Sequence, residues 1–170
     1  MADQEPPASG RDKRLERITG WLATFGGLLA LAVAMLVAVS VLGRWLFSAP
    51  IDGDFEFVKM ATAVAVFSYL PYTQARCGNI MVDTFTTSLS PRINRRLDAF
   101  WDFVYALFVG GMAVALAMGT LDALRSGETT MQRQILLWPS IGATAVLCLV
   151  LAMTALTTGM ALLKDRQDRG

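Results

Sequence analysis

Gln74 to Asp102 reads QARCGNIMVDTFTTSLSPRINRRLDAFWD. It is the only polar interior stretch of any length in a chain otherwise built of apolar runs. Within it Met81, Phe85, Leu89 and Ile93 recur every four residues with Asp83, Thr84, Thr87 and Ser88 between them, the spacing of one apolar helical stripe. The stripe predicts an amphipathic element over about residues 80–90, lying on a surface rather than crossing one. Ser90-Pro91 then reads as a helix start, with Ser as N-cap and Pro at the first helical position, where no backbone donor is lost.

Outward from this stretch the chain becomes apolar on both sides. No charge occurs from Ile18 to Gly43. That run is too long for a cleavable signal h-region of about 7–15 residues and long enough for a hydrocarbon core of roughly 30 Å. Trp21 and Trp45 mark its ends. A turn-rich link with Pro50, Asp52, Gly53 and Asp54 follows, and a second span opens on Glu56 and Lys59, placed three apart to pair or to snorkel toward headgroups. A third long helix runs from Pro91 through Arg92, Arg95 and Arg96 into the apolar stretch Phe103 to Leu121. Asp122 to Leu137 is a polar link, and Trp138-Pro139 opens a fourth span ending at Leu163. Gly26, Ala30, Ala34 and Ala38, and again Gly111, Ala115 and Gly119, form small-residue stripes suited to close helix packing.

With 54% hydrophobic residues and a mean hydropathy of +0.47, the chain is too apolar for an ordinary soluble domain and gives no support to nucleic-acid binding. It contains no histidine, which excludes bis-histidine haem ligation, histidine metal sites and a histidine general base. Cys77 and Cys148 build no metal motif, and Cys148 reads as a small buried thiol. No cofactor, metal, disulfide or enzymatic activity is expected.

Charge distribution predicts the orientation. Arg11, Lys13, Arg14, Arg17, Arg76, Arg92, Arg95, Arg96, Lys164, Arg166 and Arg169 fall on the side of the termini, against Arg44, Lys59, Arg125 and Arg133 on the other. The positive-inside rule then puts both termini and the central stretch in the cytoplasm. The predicted fold class is an all-α membrane protein of four transmembrane helices, N-in and C-in. Its parts are a basic N-terminus (1–17), a four-helix domain (18–163, spans about 18–43, 55–73, 98–122 and 138–163) and a cytoplasmic tail (164–170).

A coupled transporter usually carries an ionisable residue at mid-membrane or a broken helix, and neither is evident. Thr154, Thr157 and Thr158 read as backbone-bonding hydroxyls. Arg95, Asp98 and Asp102 share one helical face and read as an ion network at headgroup level; the functional alternative for Asp102 is a docking contact for another subunit.

Taken together, the turn IDGDFEFVKM, the passage YLPYTQARCGNIMVDTF, the basic segment SPRINRRLD and the link GETT-x6-LWPS resemble the small membrane subunit of tripartite ATP-independent periplasmic (TRAP) transporters, the DctQ-like family. The resemblance covers roughly Ile18 to Leu163. It departs at Asn79, where the family often has His, so no titrating role is expected there. The resemblance implies an accessory permease subunit of the bacterial inner membrane. Its partners would be membrane lipid, a large permease subunit and a periplasmic substrate-binding protein, working in sodium-driven uptake of organic acids. In the family the large subunit holds the substrate and sodium sites and moves elevator-fashion, while the small subunit widens the fixed scaffold.

On this reading Glu56, Lys59, Arg76, Asp83, Phe85, Leu89, Arg95 and Asp102 are expected at the subunit interface. Asp52, Asp54, Arg125, Glu128 and Arg133 are expected to be available to the binding protein, with Glu56 beside them on the outer side. The alternatives are an autonomous four-helix ion-coupled transporter, for which Asp102 is the only carboxylate to hand, and a structural assembly subunit of another membrane complex.

Overall fold

In hydrocarbon every backbone N–H and C=O must be paired within the protein, and a helix does this within its own segment. The apolar runs accordingly fold as α1 (Gly10–Phe47), α2 (Asp54–Ala75), α3 (Pro91–Ser126) and α4 (Trp138–Lys164). The computed structural model describes residues 10–48, 51–76 and 91–164. The stripe Met81, Phe85, Leu89 and Ile93 therefore falls largely outside the described residues, as do Cys77, Asn79, Asp83 and Ser90. Three of the helices are long and apolar enough to cross a membrane, over Arg14–Phe47, Arg96–Ser126 and Trp138–Leu163. The fourth, α2, carries Asp54, Glu56 and Lys59 in its first two turns and Pro71 near its far end.

Two boundaries differ from expectation. Helix α1 begins at Gly10 rather than near Ile18, so the basic flank Arg14 to Arg17 is already helical. Thr19 is buried and donates its hydroxyl back to Leu15 O at 2.9 Å. Helix α3 continues through Asp122 and Arg125 to Ser126, because Ala123 is still buried on the packing face. The link between α3 and α4 is shorter by that turn. Pro91 is the first described residue of α3, and Ser90, the expected N-cap, lies outside the described residues.

The helices pack in the order α1, α2, α4, α3. Helix α1 lies chiefly on α2, α3 on α4, and α2 joins the two hairpins through α4. Sequence neighbours are antiparallel: Gly26 of α1 faces Ala65 and Ser68 of α2, while Gly142 and Gly159 of α4 face Thr120 and Asp102 of α3. Helices α2 and α4 consequently run parallel. One end of the bundle holds the start of α1 and the end of α4 and is termed the terminal side; the other is the loop side.

The buried faces repeat every seven residues. In α3, Ala99, Ala106, Val109, Ala113 and Ala123 are buried, with Asp102, Leu116 and Thr120 half-buried between them. The steps alternate three and four, which keeps a seam facing its neighbour with a drift of only about 20° per heptad. In α1 the seam is Thr19, Gly26, Val33 and Ser40, with Val33 half-buried. A repeat of four drifts by about 40° per step at 3.6 residues per turn. For that reason Ala30, Ala34 and Ala38 are exposed and only Gly26 of the expected stripe meets a neighbour. The second stripe is likewise off its seam: added side-chain carbons at Gly111 and Gly119 would meet nothing within 4 Å.

Helix α4 is central and buries two adjoining faces; between its ends Val146, Leu149, Met153, Leu156 and Met160 are exposed along one line. The core is Val109, Ala113, Cys148, Leu151 and Ala152, with Phe67, Leu70 and Tyr105 packed against it. Lipid is as apolar as leucine, so close van der Waals contact between small residues supplies the cohesion. Thr154, Thr157 and Thr158 satisfy their hydroxyls on the carbonyls of Val150 and Thr154 at 2.8–2.9 Å, as expected of packing residues.

Helices α1 and α2 approach closely at Gly26, where an added Cβ would lie 2.8 Å from Ser68 Cβ and 3.0 Å from Ala65 O. Gly26→Leu should therefore destabilise the protein by about 1–3 kcal/mol, the usual cost of overpacking. Ala30→Leu, on the exposed face, should be near neutral. Thermal unfolding in detergent compares the two, and equal midpoints would remove Gly26 from the contact.

Candidate functional site

Two polar joints, one at each end of the bundle, hold the expected site residues that the structure describes. The loop-side joint starts from Gly53, which precedes α2 with φ 77°, a left-handed conformation that glycine adopts at least cost. Its bare face receives Arg133: an added Cβ would lie 2.4 Å from Arg133 Cγ. Arg133 Nε donates to Asp52 O at 3.0 Å. The Glu56 carboxylate, on the first turn of α2, accepts Thr130 Oγ1 at 2.7 Å and the backbone N–H groups of Gln132 at 2.7 Å and Arg133 at 3.1 Å. The 127–137 link is otherwise a tight antiparallel turn, with Thr130 N–H on Ile135 O at 2.9 Å and Leu137 N–H on Glu128 O at 3.1 Å. Thr130 Oγ1 also accepts Ile135 N–H at 3.0 Å.

Glu56 and Lys59 thus do not pair with each other. Glu56 reaches across to the far link, and Lys59 places its ammonium 4.3 Å from the centre of the Phe55 ring. Two of the motifs that carry the family resemblance, IDGDFE and GETT-x6-LWPS, are the two halves of this joint. Asp54 belongs to it as well: its carboxylate accepts the hydroxyl of Ser40, a buried residue of α1, and the Phe55 N–H at 2.7 Å. Ser40 Oγ accepts Ile51 N–H at 3.4 Å. The Ser40 hydrogen bond, aided by Phe55 N–H and by the charge of Arg44, outweighs desolvation and holds the Asp54 carboxyl below its ordinary value. Arg125 and Glu128 are exposed beside the joint.

The terminal-side joint is made by the last turn of α2. Gln74 is buried and donates its Nε2 to Asp102 Oδ1 of α3 at 2.9 Å. Gly159 of α4 packs against the base of the same side chain, since its added Cβ would lie 3.2 Å from Asp102 Cβ. Arg76 pairs with Glu16 of α1 at 2.7 Å and lies over the Tyr72 ring at 5.3 Å. The expected network of Arg95 with Asp102 is not tested, because the Arg95 side chain lies outside the described residues; the described partner of Asp102 is Gln74. Asp83, Phe85 and Leu89 are also outside them. Among the described residues no three His, Cys, Asp or Glu side chains gather to hold a metal ion.

Sequence reasoning missed Thr130, Gly53, Ser40, Gln74 and Glu16. Thr130 and Gly53 lie within quoted motifs, and Gln74 is an uncharged polar residue close to the end of the largely apolar α2. Those were the available signals.

Glu56→Ala leaves Thr130 and two backbone donors without their acceptor at a site that water can reach. Tryptic cleavage after Arg133 should then accelerate about fivefold, tracking the opened population of the link. An unchanged rate would show that Glu56 does not hold it. For Asp54 the folded carboxyl titrates below its ordinary value, so its contribution is complete above that value and disappears as pH falls through the depressed one. The Trp45 emission of the full chain should show an acid transition there, absent in Asp54→Asn.

No curated protein and no solved structure matches the chain. The model of the family described as "Tripartite ATP-independent periplasmic transporters, DctQ component" matches residues 33–165, which takes in α2, α3 and α4, both halves of the loop-side joint and the Gln74–Asp102 contact. This chain belongs to the DctQ component family of tripartite ATP-independent periplasmic transporters.

Proposed function

We propose that the chain is the accessory permease subunit that scaffolds a large elevator-type subunit in sodium-coupled uptake of organic acids and helps to dock the periplasmic substrate-binding protein. Family membership makes it a multi-pass inner-membrane component of a TRAP transporter rather than an enzyme, working with a large permease and a substrate-binding protein. The scaffold reading rests chiefly on one observation. Helices α1 and α3 each have a single substantial neighbour and leave long apolar faces uncovered, including Leu31, Met35 and Leu42 on α1 and Leu107, Phe108, Val114 and Met118 on α3. Such faces suit a large membrane partner, while the two polar joints keep the helices that bear them in fixed relation.

In this reading α2 is the second of four crossings, the terminal side faces the cytoplasm, and the 80–90 segment lies flat at that interface. The loop-side joint then faces the periplasm, with Asp52, Arg125, Glu128 and Arg133 at its surface beside Asp54 and Glu56. Lys59, Arg76, Asp83, Phe85, Leu89, Arg95 and Asp102 remain the residues proposed near the subunit interface.

Copurification with a large multi-span permease, and proteoliposome uptake only when both chains are present, are the expected results. Transport by this chain alone would replace the scaffold with an autonomous carrier. Phe85→Asp combined with Leu89→Asp should release the complex or abolish uptake, and full retained transport would sink the bracing role of that segment.

A further inference from the structure

A groove of about 730 Å³ opens between the terminal-side ends of α1 and α2, lined among others by Glu16, Arg17, Gly20, Trp21, Tyr72 and Arg76. Gly20 keeps its wall bare, and even an added Cβ would only reach the Tyr72 ring at 3.7 Å. Two guanidinium groups face one carboxylate, so the lining is net positive. Arg17 is exposed and pairs with no described carboxylate. Arg76 shares one nitrogen with Glu16 at 2.7 Å and keeps about half of its side-chain surface open, leaving N–H donors in the planar fork that matches phosphate geometry.

The position of the groove selects among anions. It straddles the point where α1 turns from the charged residues Arg14 to Arg17 to the uncharged run that begins at Ile18. Its floor continues onto an exposed apolar line, Trp21, Phe25 and Leu28, at helical spacing. A tryptophan in that position marks headgroup depth. A cationic mouth continuous with a lipid-facing apolar strip fits a molecule that is itself a phosphate on two acyl chains.

We propose that this groove is a binding site for an anionic glycerophospholipid, with the phosphodiester held by Arg17 and the open edge of Arg76, and with the glycerol and upper acyl chains along Trp21, Phe25 and Leu28.

The test uses the full chain with Trp45, Trp101 and Trp138 replaced by Phe, so that Trp21 alone reports. It is reconstituted in phosphatidylcholine vesicles carrying a minor fraction of brominated phosphatidylglycerol, or the same fraction of brominated phosphatidylcholine. Trp21 should be quenched more by the brominated anionic lipid. Arg17→Gln should reduce that excess about fivefold, the effect of one basic residue at an anionic surface, and Arg17→Lys should retain most of it. Arg17 is exposed and makes no hydrogen bond or ion pair to a described residue, and retention by Arg17→Lys separates binding from folding. Equal quenching by the two lipids, an excess indifferent to Arg17→Gln, or loss of the excess on adding inorganic phosphate would each overturn the lipid site.

Discussion

A carboxylate on an apolar helix persists only where its oxygens find donors, and Glu56 finds them on a link 74 to 77 residues further along the chain. The packing order makes this contact central. The α1–α2 and α3–α4 hairpins touch mainly through α2 and α4, and two parallel helices in lipid have no hydrophobic effect to hold them together. A carboxylate from one hairpin that organises the connecting link of the other fixes their register at the loop side. Arg133 adds a second strand to the same tie by lying across Gly53 and donating to Asp52 O. At the opposite end Gln74 and Asp102 repeat the device with an amide and a carboxylate.

Magnitudes explain why the polar ties sit at the ends. A carboxylate at mid-membrane costs about 2.5–3.5 kcal/mol on insertion scales, and an interhelical hydrogen bond returns about 0.6–2 kcal/mol. The exchange is unfavourable at the centre and workable near the interfaces, where desolvation is partial. Asp102 follows this rule: it neighbours the exposed Trp101 and lies about 9 Å, at 1.5 Å per residue, into the membrane segment that starts at Arg96. The middle of the bundle is left to Ala113, Cys148 and Ala152, small enough for the helices to approach closely, with Leu151 filling the space between them.

The helices were legible in the sequence because length and apolarity are local properties, and Pro91 and Trp138 announced two of their starts. Partners were less so. Glu56 and Lys59 stand three apart, and helical spacing alone suggested a pair, whereas the true acceptor geometry involves a link whose nearness to α2 only the fold creates. The small-residue stripes misled for a different reason. A period of four looks helical over two steps but rotates off the contact by the third, so Gly26 faces α2 and Ala38 does not. The seven-residue seam of Thr19, Gly26, Val33 and Ser40 was present in the same residues and was hidden by its mixed chemistry. The motifs were a better guide than the periodicity, since IDGDFE and GETT-x6-LWPS turned out to touch.

For the scaffold role proposed above, that contact supplies the stiffness. A fixed scaffold must resist sliding of one helix past another while a neighbour moves, and resistance to sliding comes from directional bonds at the ends of the helices more than from apolar packing along them, which has near-equivalent registers one heptad apart. Both hairpins are pinned in this way at the loop side, and Gln74 pins α2 to α3 at the terminal side. The stiffness therefore lies in the α2–α4 centre, and the uncovered apolar faces of α1 and α3 lie on its flanks. A partner docking on either flank meets a helix whose position is set by the opposite hairpin as much as by its own. Loss of Glu56 should consequently weaken both flanks together, which distinguishes a shared frame from two independently adherent hairpins.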